Sequence, residues 1–366
     1  MNAVTHAGNF RTLDEMEPWN DSQQGLEVIS VVDEAPGVKT FTFRSDTLSW
    51  FRYKPGQFIT LQLPAQDGVL NRTYTLSSSP SRPHAIAVTV KAQPGSVGTQ
   101  WMFDNVKSGS RLKAMGPYGD FTLHKHPAAK YLFISAGSGI TPMMSMLRWL
   151  YDCAPGADVV FVNCARAPEE IVFRRELELL GSQMPGLSLR FLVEQRSLRE
   201  SWPGFVGRID ALPLTQMAHD FQQREVFCCG PDPFMRTVQG MLKSAQFDMS
   251  RYHQESFGAA EAEVLGTHAA VGEAQQAGPA TLPIRFMDSN LQAECLPGKT
   301  VLQTARASGV RISAACESGI CGTCRVRKLS GEVTMSHNGG ILDEDIAEGY
   351  ILACCARPTT ALEIEA

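Results

Sequence analysis

Four cysteines near the end of the chain constrain its fold and chemistry more than any other feature. Cys316, Cys321 and Cys324 follow the spacing C-x4-C-x2-C, and Cys354 comes after 29 further residues. This is the ligand spacing of one class of 2Fe–2S cluster, whose two irons require four thiolates. Small residues between the first three cysteines allow the backbone to wrap a cluster and point N–H groups at its sulfurs. We therefore predict a 2Fe–2S site with these four cysteines as the metal ligands.

Zinc and ordinary buried thiols are the alternatives for this group of cysteines. Zinc sites usually consist of two C-x2-C pairs, so the observed spacing and the glycine-rich loop disfavour zinc. The fourth ligand is ambiguous by spacing alone, because Cys355 follows Cys354 directly. The run ILACCARP resembles the end of plant-type ferredoxins. This resemblance places the ligand at Cys354 and makes Cys355 a packed neighbour.

The 366 residues are enough for two or three domains, and the sequence pattern changes along the chain. Residues 1–24 are polar and aperiodic, which indicates a loose N-terminal arm. Short alternating runs separated by turn signals predict an antiparallel β-barrel over 25–125 that closes near Phe121-Thr122-Leu123. Apolar runs that alternate with helical stretches predict an α/β domain with a parallel sheet over 126–258.

Two further segments follow the predicted α/β domain. Residues 259–280 are rich in alanine and contain no aromatic residue, which indicates a linker. Residues 281–366 carry the four cysteines, and their resemblance to plant-type ferredoxins implies an α+β domain of the β-grasp type. Because the linker joins this domain to the rest, we expect that shortening it slows electron delivery to a partner and spares the preceding step.

Charge and hydropathy limit the classes of partner. The chain has 33 basic and 38 acidic side chains, so it gives no reason to expect nucleic acid or an anionic membrane as a partner. No stretch approaches 18 consecutive apolar residues, and the first residues lack the pattern of a secretory signal. We therefore expect a cytoplasmic protein.

The run RTYTLSS is predicted to lie at the start of a barrel strand, and it suits flavin binding. The planar guanidinium of Arg72 can pair with a flavin phosphate. Tyr74 can supply an aromatic face to the flavin ring, and Thr75 can supply a hydroxyl for a hydrogen bond. With Ser78, these residues resemble the R-x-Y-[ST]-x-x-S motif of the ferredoxin–NADP reductase superfamily. The resemblance implies that Tyr74 faces the isoalloxazine and that Thr75, as a catalytic residue, bonds the N5 edge. The alternative is an ordinary edge strand with a surface arginine and tyrosine.

A second stretch of the predicted barrel suits a phosphate group. Val97, Gly98 and Thr99 lie in a glycine-containing turn before a helical run, and helix N-termini bind phosphates. A turn suited to a pyrophosphate favours FAD over FMN. The run GPYGDF at 116–121 then matches the turn that the same superfamily has between its two domains.

The predicted α/β domain contains three pieces of a nicotinamide site. Its first strand leads into Gly137, Gly139, Thr141 and Pro142, between a strand and a helix, where a dinucleotide pyrophosphate binds. Pro142 replaces the third glycine of the usual motif, as in the reductase superfamily, and suits a first helical turn.

The other two pieces lie near the end of that domain. Cys229-Gly230-Pro231 follows a strand, and in the superfamily this cysteine lies near the nicotinamide ring. Glu255 and Phe257 resemble the acidic and aromatic end near the flavin edge, which implies a catalytic role for Cys229 and Glu255. Buried packing for the cysteine and a solvated charge for the glutamate are the alternatives. The resemblance favours NADH, and Arg166 and Arg196 leave NADPH open, because either could meet a 2′-phosphate.

The order of the three domains resembles the reductase components of Rieske-type oxygenases. The runs FDMSRYHQESFG, GEVTMSHNGGI and EGYILACC resemble those of bacterial glycine betaine monooxygenase reductases. The resemblance implies electron flow from NADH through FAD and a 2Fe–2S cluster to a terminal Rieske-type oxygenase, which demethylates glycine betaine or a related quaternary ammonium compound. This chain has no C-x-H Rieske pair, and no 2-His-1-carboxylate candidate stands out, so those irons are expected in the partner.

Two other functions remain open at this stage. One is an NADH reductase of a hybrid-cluster protein, which has the same domain order, and the other is a non-catalytic electron-transfer or redox-sensing subunit. The acidic stretch 342–348 is either a docking surface for the partner or a solvated helix face. Docking through these charges predicts an association that weakens steeply with salt.

Overall fold

The structure is a computed structural model. It describes residues 12–19, 24–47, 49–65, 68–198, 200–257, 281–314, 319, 322–337, 341 and 343–366. The predicted linker over 259–280 lies outside these residues, as do the predicted cluster ligands Cys316 and Cys321. Among the described residues, no helix is both long and apolar enough to cross a membrane.

The first unit is a six-stranded antiparallel barrel with one helix. Its elements are β1 (Gln24–Ala35), β2 (Val38–Ser45), β3 (Phe58–Ala65), β4 (Gly68–Thr75), β5 (Ile86–Lys91), α1 (Val97–Asn105) and β6 (Arg111–Tyr118). The strand order is β4-β3-β6-β1-β2-β5, and a bridge between Leu76 and Val88 joins the two edges. Ile59, Leu61 and Leu63 alternate along β3 and are fully buried, as expected of a strand with one face in the core.

Two expectations for the barrel differ from the structure. The sixth strand is β6, which ends before Phe121-Thr122-Leu123, and the sequence pattern missed it because Gly116 and Pro117 interrupt its alternation. The RTYTLSS run was expected near the start of a strand, whereas β4 ends at Thr75. The motif therefore lies where the strand leaves the barrel.

The N-terminal arm is partly anchored rather than loose. Within the described residues 12–19, Trp19 is 4% exposed and packs against Phe51 in the barrel core. Its backbone N–H donates to the carbonyl of Trp50 at 2.7 Å. Burial of the large indole side chain of Trp19 stabilises this contact. The polar composition of the arm does not predict this anchor.

The second unit is a parallel sheet covered by helices on both faces. Its elements are β7 (Lys130–Ala136), α2 (Ile140–Cys153), β8 (Asp158–Ala165), α3 (Arg174–Gln183), β9 (Leu187–Val193), β10 (Phe205–Val206), α4 (Ala211–Met217), β11 (Glu225–Cys229), α5 (Asp232–Ser244) and β12 (Tyr252–Glu255). The order is β10-β9-β8-β7-β11-β12, and every pairing is parallel. The strand order reverses between β7 and β11, which is where such sheets bind ligands at their carboxyl ends.

The third unit is a mixed sheet with a helix packed on it. Its elements are β13 (Leu282–Phe286), β14 (Leu291–Cys295), α6 (Val301–Ala307), β15 (Arg325–Ser330), β16 (Val333–Met335), α7 (Asp343–Ala347), β17 (Tyr350–Leu352), β18 (Ala356–Pro358) and β19 (Leu362–Glu365). Five strands follow the order β14-β13-β19-β15-β17, and β16 pairs with β18. Val301, Leu302 and Ala305 of α6 are buried in its core.

Candidate functional site

Residues from all three units line one cavity of about 600 Å³. This volume lies in the range of small-molecule and cofactor sites. The lining includes Thr75, Tyr118 and Phe121 from the barrel, Glu255 and Phe257 from the parallel-sheet unit, and Thr323, Arg325 and Asp345 from the third unit. The carboxyl end of the parallel sheet, the end of β4 and the cysteine loop therefore face the same space.

Two of the three residues predicted to be catalytic, Thr75 and Glu255, line this cavity, and the third, Cys229, is buried beside Glu255. The Thr75 hydroxyl donates to Oε2 of Glu255 at 3.3 Å. Cys229 and Glu255 are register partners on β11 and β12, so they lie side by side at the carboxyl end of the sheet. The junction thus combines a hydroxyl, a carboxyl and a thiol contributed by two units.

Burial sets the protonation of two of these groups. It raises the pKa of Glu255 to about 8, and the hydrogen bond from Thr75 opposes this shift. Burial also raises the pKa of Cys229 well above its ordinary value, and the nearby Glu255 adds to the effect. Both shifts favour the protonated carboxyl and the neutral thiol at neutral pH. Cys229 is therefore a small uncharged side chain beside Glu255 rather than a nucleophile.

Arg72 lies against the start of α1, as the two predicted phosphate-binding stretches require. A Cβ atom on Gly98 would lie 3.0 Å from Nε of Arg72, so the arginine side chain packs closely over this glycine. Ser96 caps the helix by accepting a hydrogen bond from the Thr99 N–H. Val97 is 53% exposed at the first position of the helix. A guanidinium beside a helix N-terminus suits a phosphate group.

Two polar atoms beside Arg72 indicate that this region is built for a ligand. The Tyr74 hydroxyl and Oδ1 of Asn71 are buried, and neither has a hydrogen-bond partner within the described part of the chain. The Tyr74 ring packs against the barrel core. Buried polar atoms are normally paired, so a bound flavin fits as the missing partner of the Tyr74 hydroxyl, which lies on the same face of β4 as Arg72.

Ser78 has a different environment from the rest of its motif. Its hydroxyl contacts the Tyr53 hydroxyl at 2.8 Å and accepts a bond from the Ala87 N–H at 2.9 Å. Because the protein already engages this hydroxyl, we interpret Ser78 as a residue that positions the end of the flavin strand.

The turn after β7 touches the loop after β11. A Cβ atom on Gly139 would lie 2.2 Å from the Cys229 carbonyl oxygen, so the two loops pack at backbone distance. Gly137 has a φ of +55°, which favours glycine. The Thr141 hydroxyl donates to the Ser138 carbonyl at 3.1 Å, and Pro142 lies in the first turn of α2. Two predicted nicotinamide-binding pieces are thus brought together at the reversal point of the sheet.

The loop that closes on Pro231 completes this edge. Pro231 precedes α5, and a Cβ atom on Gly230 would lie 2.8 Å from the Phe234 ring. Phe257 packs against the core of the sheet and lines the cavity. The third predicted piece, with Glu255 and Phe257, therefore lines the cavity, while the first two pack against each other at the end of the sheet.

The described part of the cysteine site suits a 2Fe–2S cluster. The Cys354 N–H donates to Sγ of Cys324 at 3.4 Å, and both residues are buried. Hydrogen bonds from Cys324 and Cys355 lower the pKa of the Cys354 thiol, which favours the thiolate that binds metal. The Thr323 hydroxyl is buried with no partner among the described residues, as expected beside an acceptor that the protein itself does not supply.

Backbone geometry and the neighbouring cysteine agree with this assignment. Gly319 and Gly322, which lie between the predicted ligands in the sequence, have φ values of +73° and +71°, which only glycine adopts readily. The Cys355 thiol donates to the Leu352 carbonyl at 3.6 Å and lies beside Cys354, as expected of a packed neighbour. Cys324 and Cys354, with Cys316 and Cys321 outside the described residues, are the proposed ligands.

Sequence patterns missed two ionic contacts around the site. Asp345 belongs to the acidic stretch considered for docking, but it pairs with Arg325 at 3.2 Å and lines the cavity. In the sequence, the only feature that indicates a role for Arg325 at this site is its position directly after Cys324. Arg148 of α2 binds Glu176 at 2.6 Å and donates to the Ser77 carbonyl. Arg148 thus holds the end of the flavin motif against the parallel-sheet unit.

Three family models match successive parts of the chain. The oxidoreductase FAD-binding domain matches residues 26–123, the oxidoreductase NAD-binding domain matches 133–240, and the 2Fe-2S iron-sulfur cluster binding domain matches 284–359. The predicted fold class and the predicted FAD, NADH and 2Fe–2S cofactors are confirmed. The chain is an oxidoreductase with a flavin barrel, a nicotinamide α/β unit and a ferredoxin unit.

Similar proteins specify the family further. The stachydrine N-demethylase reductase subunit of Rhizobium meliloti is 50% identical, over 95% of this chain and 98% of that protein. The glycine betaine monooxygenase reductase subunit of Chromohalobacter salexigens is 42% identical, over 98% and 99%. Phthalate dioxygenase reductase shares the fold, with a TM-score of 0.60 and 23% identity over 97% of this chain and all of that one. The chain belongs to the family of monooxygenase and demethylase reductase subunits.

Proposed function

We propose that this chain is the reductase component of a Rieske-type oxygenase that demethylates glycine betaine or a related quaternary ammonium compound. The cavity shared by the three units carries the proposal, because it faces the flavin motif, the nicotinamide edge and the cysteine loop at once. The names of the similar reductase subunits support the substrate class. The oxygenase partner would hold the Rieske centre and the mononuclear iron.

The residues of this chain have distinct tasks in that function. FAD, when bound, supplies the conversion of a two-electron hydride into single electrons. Arg72 and the start of α1 bind its phosphates, and Tyr74 supplies a hydrogen bond. Thr75 and Glu255 line the space where the reacting rings meet, and Glu255 holds a proton there.

The ends of the parallel strands orient the nicotinamide. The glycine turn after β7 leaves room for a pyrophosphate, and the small thiol of Cys229 leaves room for a ring beside it. Arg325 and Asp345 tie the cysteine loop to α7 at the cavity wall. This contact keeps the proposed cluster ligands next to the flavin side of the cavity.

Two assays test the proposal. The purified chain should oxidise NADH with ferricyanide as the acceptor, and this activity separates a reductase from a non-catalytic subunit. In the second assay, NADH and a glycine betaine monooxygenase oxygenase subunit are added, and we expect formaldehyde release from glycine betaine or stachydrine. Ferricyanide reduction without coupled demethylation, together with reduction of a hybrid-cluster protein, would refute the oxygenase assignment.

A further inference from the structure

Three potential metal ligands meet at the barrel–sheet junction, next to a second cavity that shares Asp120, Phe121 and Gln254 with the first. His126 lies in the segment between β6 and β7, Glu225 is the first residue of β11, and His253 lies in β12. Each offers one ligand atom, and these atoms all lie within 4.8 Å of one another. No local sequence pattern indicates this 2-His-1-carboxylate group, because its members come from three separate segments.

The group is held in place by specific contacts. Nε2 of His253 lies 2.6 Å from Oε1 of Glu225, and the rings of His126 and His253 stack with centroids 3.5 Å apart. Arg251 donates from Nε to the other carboxylate oxygen, Oε2, at 3.4 Å. Its Nη1 donates to the Gln222 carbonyl at 2.9 Å, which anchors the guanidinium away from the imidazoles. An orienting partner of this kind is typical of metal-binding carboxylates.

We propose that His126, Glu225 and His253 form a binding site for a divalent transition-metal ion such as zinc. Two imidazoles and a carboxylate are a common donor set for zinc, with bonds of about 2.0–2.2 Å. Ligand atoms on one tetrahedral zinc lie about 3.3 Å apart, so the three atoms must move closer, and one imidazole must turn out of the stack so that both ring planes meet at the ion.

A neighbouring cavity supplies access and the remaining coordination position. It has a volume of about 450 Å³, and its lining includes His126, His253, Asp120 and Gln254. Three protein ligands leave one tetrahedral position, which a water molecule in the cavity can fill. An ion here would tie the segment before β7 to β12, and Glu255 lies two residues beyond His253 on the same strand.

The test uses the holoenzyme with its FAD and 2Fe–2S cluster intact, after removal of adventitious metal with a chelator. Zinc binding is measured by calorimetry in a Cys153→Ser background, because Cys153 is an exposed free thiol. We expect one ion per chain. His253→Ala and Glu225→Gln should each weaken binding by about tenfold or more. His219→Ala is the matched control, because His219 is exposed in the same unit and lies outside the group.

X-ray absorption at the zinc edge decides the ligand identity without relying on the variants. Nitrogen and oxygen neighbours at about 2.0–2.2 Å with imidazole scattering support the site, whereas sulfur at about 2.3 Å places zinc on cysteine. Absence of a stoichiometric ion, sulfur ligation, or equal affinity in His253→Ala and His219→Ala would each overturn the proposal. None of these results depends on the electron acceptor of the enzyme.

Discussion

The hydroxyl of Thr75 donates a 3.3 Å hydrogen bond to the carboxyl of Glu255 across the boundary between the barrel and the parallel sheet. The two residues are 180 positions apart in the chain. Thr75 ends β4 and Glu255 ends β12, so the relative placement of two units is encoded in one contact at the cavity. Properties of Glu255 therefore report on the junction itself.

The stability of the protein should depend on pH through Glu255. Burial raises its pKa from 4.5 to about 8 in the folded state, so the folded protein binds this proton more tightly than the unfolded chain. The contribution to stability is full below about pH 4.5 and is lost as the pH rises to about 8. Glutamine does not titrate, so Glu255→Gln should not lose this stability as the pH rises. The melting temperature of the variant minus that of the wild type should therefore increase over this window, by the equivalent of a few kcal/mol.

Thr75→Val tests how the hydrogen bond from Thr75 affects the pKa of Glu255. The hydrogen bond from Thr75 lowers the pKa of Glu255, so its removal should raise that pKa further and extend the pH-sensitive window upward. The window is measured from melting temperatures across the pH range in both backgrounds. Parallel pH profiles of wild type and Glu255→Gln would contradict the assignment to Glu255.

The parts of this site that the sequence predicted are each contained in one short stretch. Cysteine spacing predicts the cluster ligands, and the turn at Gly137 predicts the nicotinamide edge, because their chemistry needs residues at fixed separations. The contact of Arg148 with Ser77 and the grouping of His126, Glu225 and His253 depend on how separate segments pack. No local pattern contains that information.

Adjacent cysteines at the end of the chain should differ sharply in function. Cys354 contacts Cys324, whereas the thiol of Cys355 donates to a backbone carbonyl. Cys354→Ser should lose the 2Fe–2S absorption and electron paramagnetic resonance signals and the transfer to an oxygenase, while NADH still reduces the flavin. Cys355→Ser is the control and should keep the cluster. Equal cluster loss in both variants would refute the choice of ligand.

Tyr74→Phe should separate flavin affinity from protein stability. The Tyr74 hydroxyl is buried without a partner among the described residues, so its removal costs the apoprotein nothing in hydrogen bonding. A flavin that pairs with it would bind about tenfold more weakly without it, as expected for loss of one hydrogen bond. Melting of the apoprotein and flavin titration by fluorescence measure the two effects. Unchanged flavin affinity would show that this hydroxyl has no role in binding.

Arg72→Ala tests the phosphate side of the same site. Arg72 packs over Gly98 at the start of α1, and its loss removes a charged partner for the phosphates. We expect FAD affinity to fall by more than in Tyr74→Phe, because hydrogen bonds to charged groups are stronger. Arg111→Ala is the control, since Arg111 is an exposed residue of β6 in the same barrel.

Gly139→Ala should weaken NADH binding, whereas the same substitution at a glycine away from the nicotinamide site should not. A Cβ atom at position 139 would lie 2.2 Å from the Cys229 carbonyl oxygen, so the turn after β7 or the loop after β11 must move. We expect the affinity for NADH to fall and the melting temperature to drop by the equivalent of about 1–3 kcal/mol, as for other overpacked positions.

Gly240→Ala is the matched control for that change. Gly240 lies within α5, and a Cβ atom there meets nothing within 4 Å. Alanine in a helix is more favourable than glycine by about 0.5–1 kcal/mol, so this variant should melt slightly higher than wild type. NADH titration should then be unchanged. If both variants bound NADH as wild type does, the close approach of Gly139 and Cys229 would have no part in holding the nicotinamide.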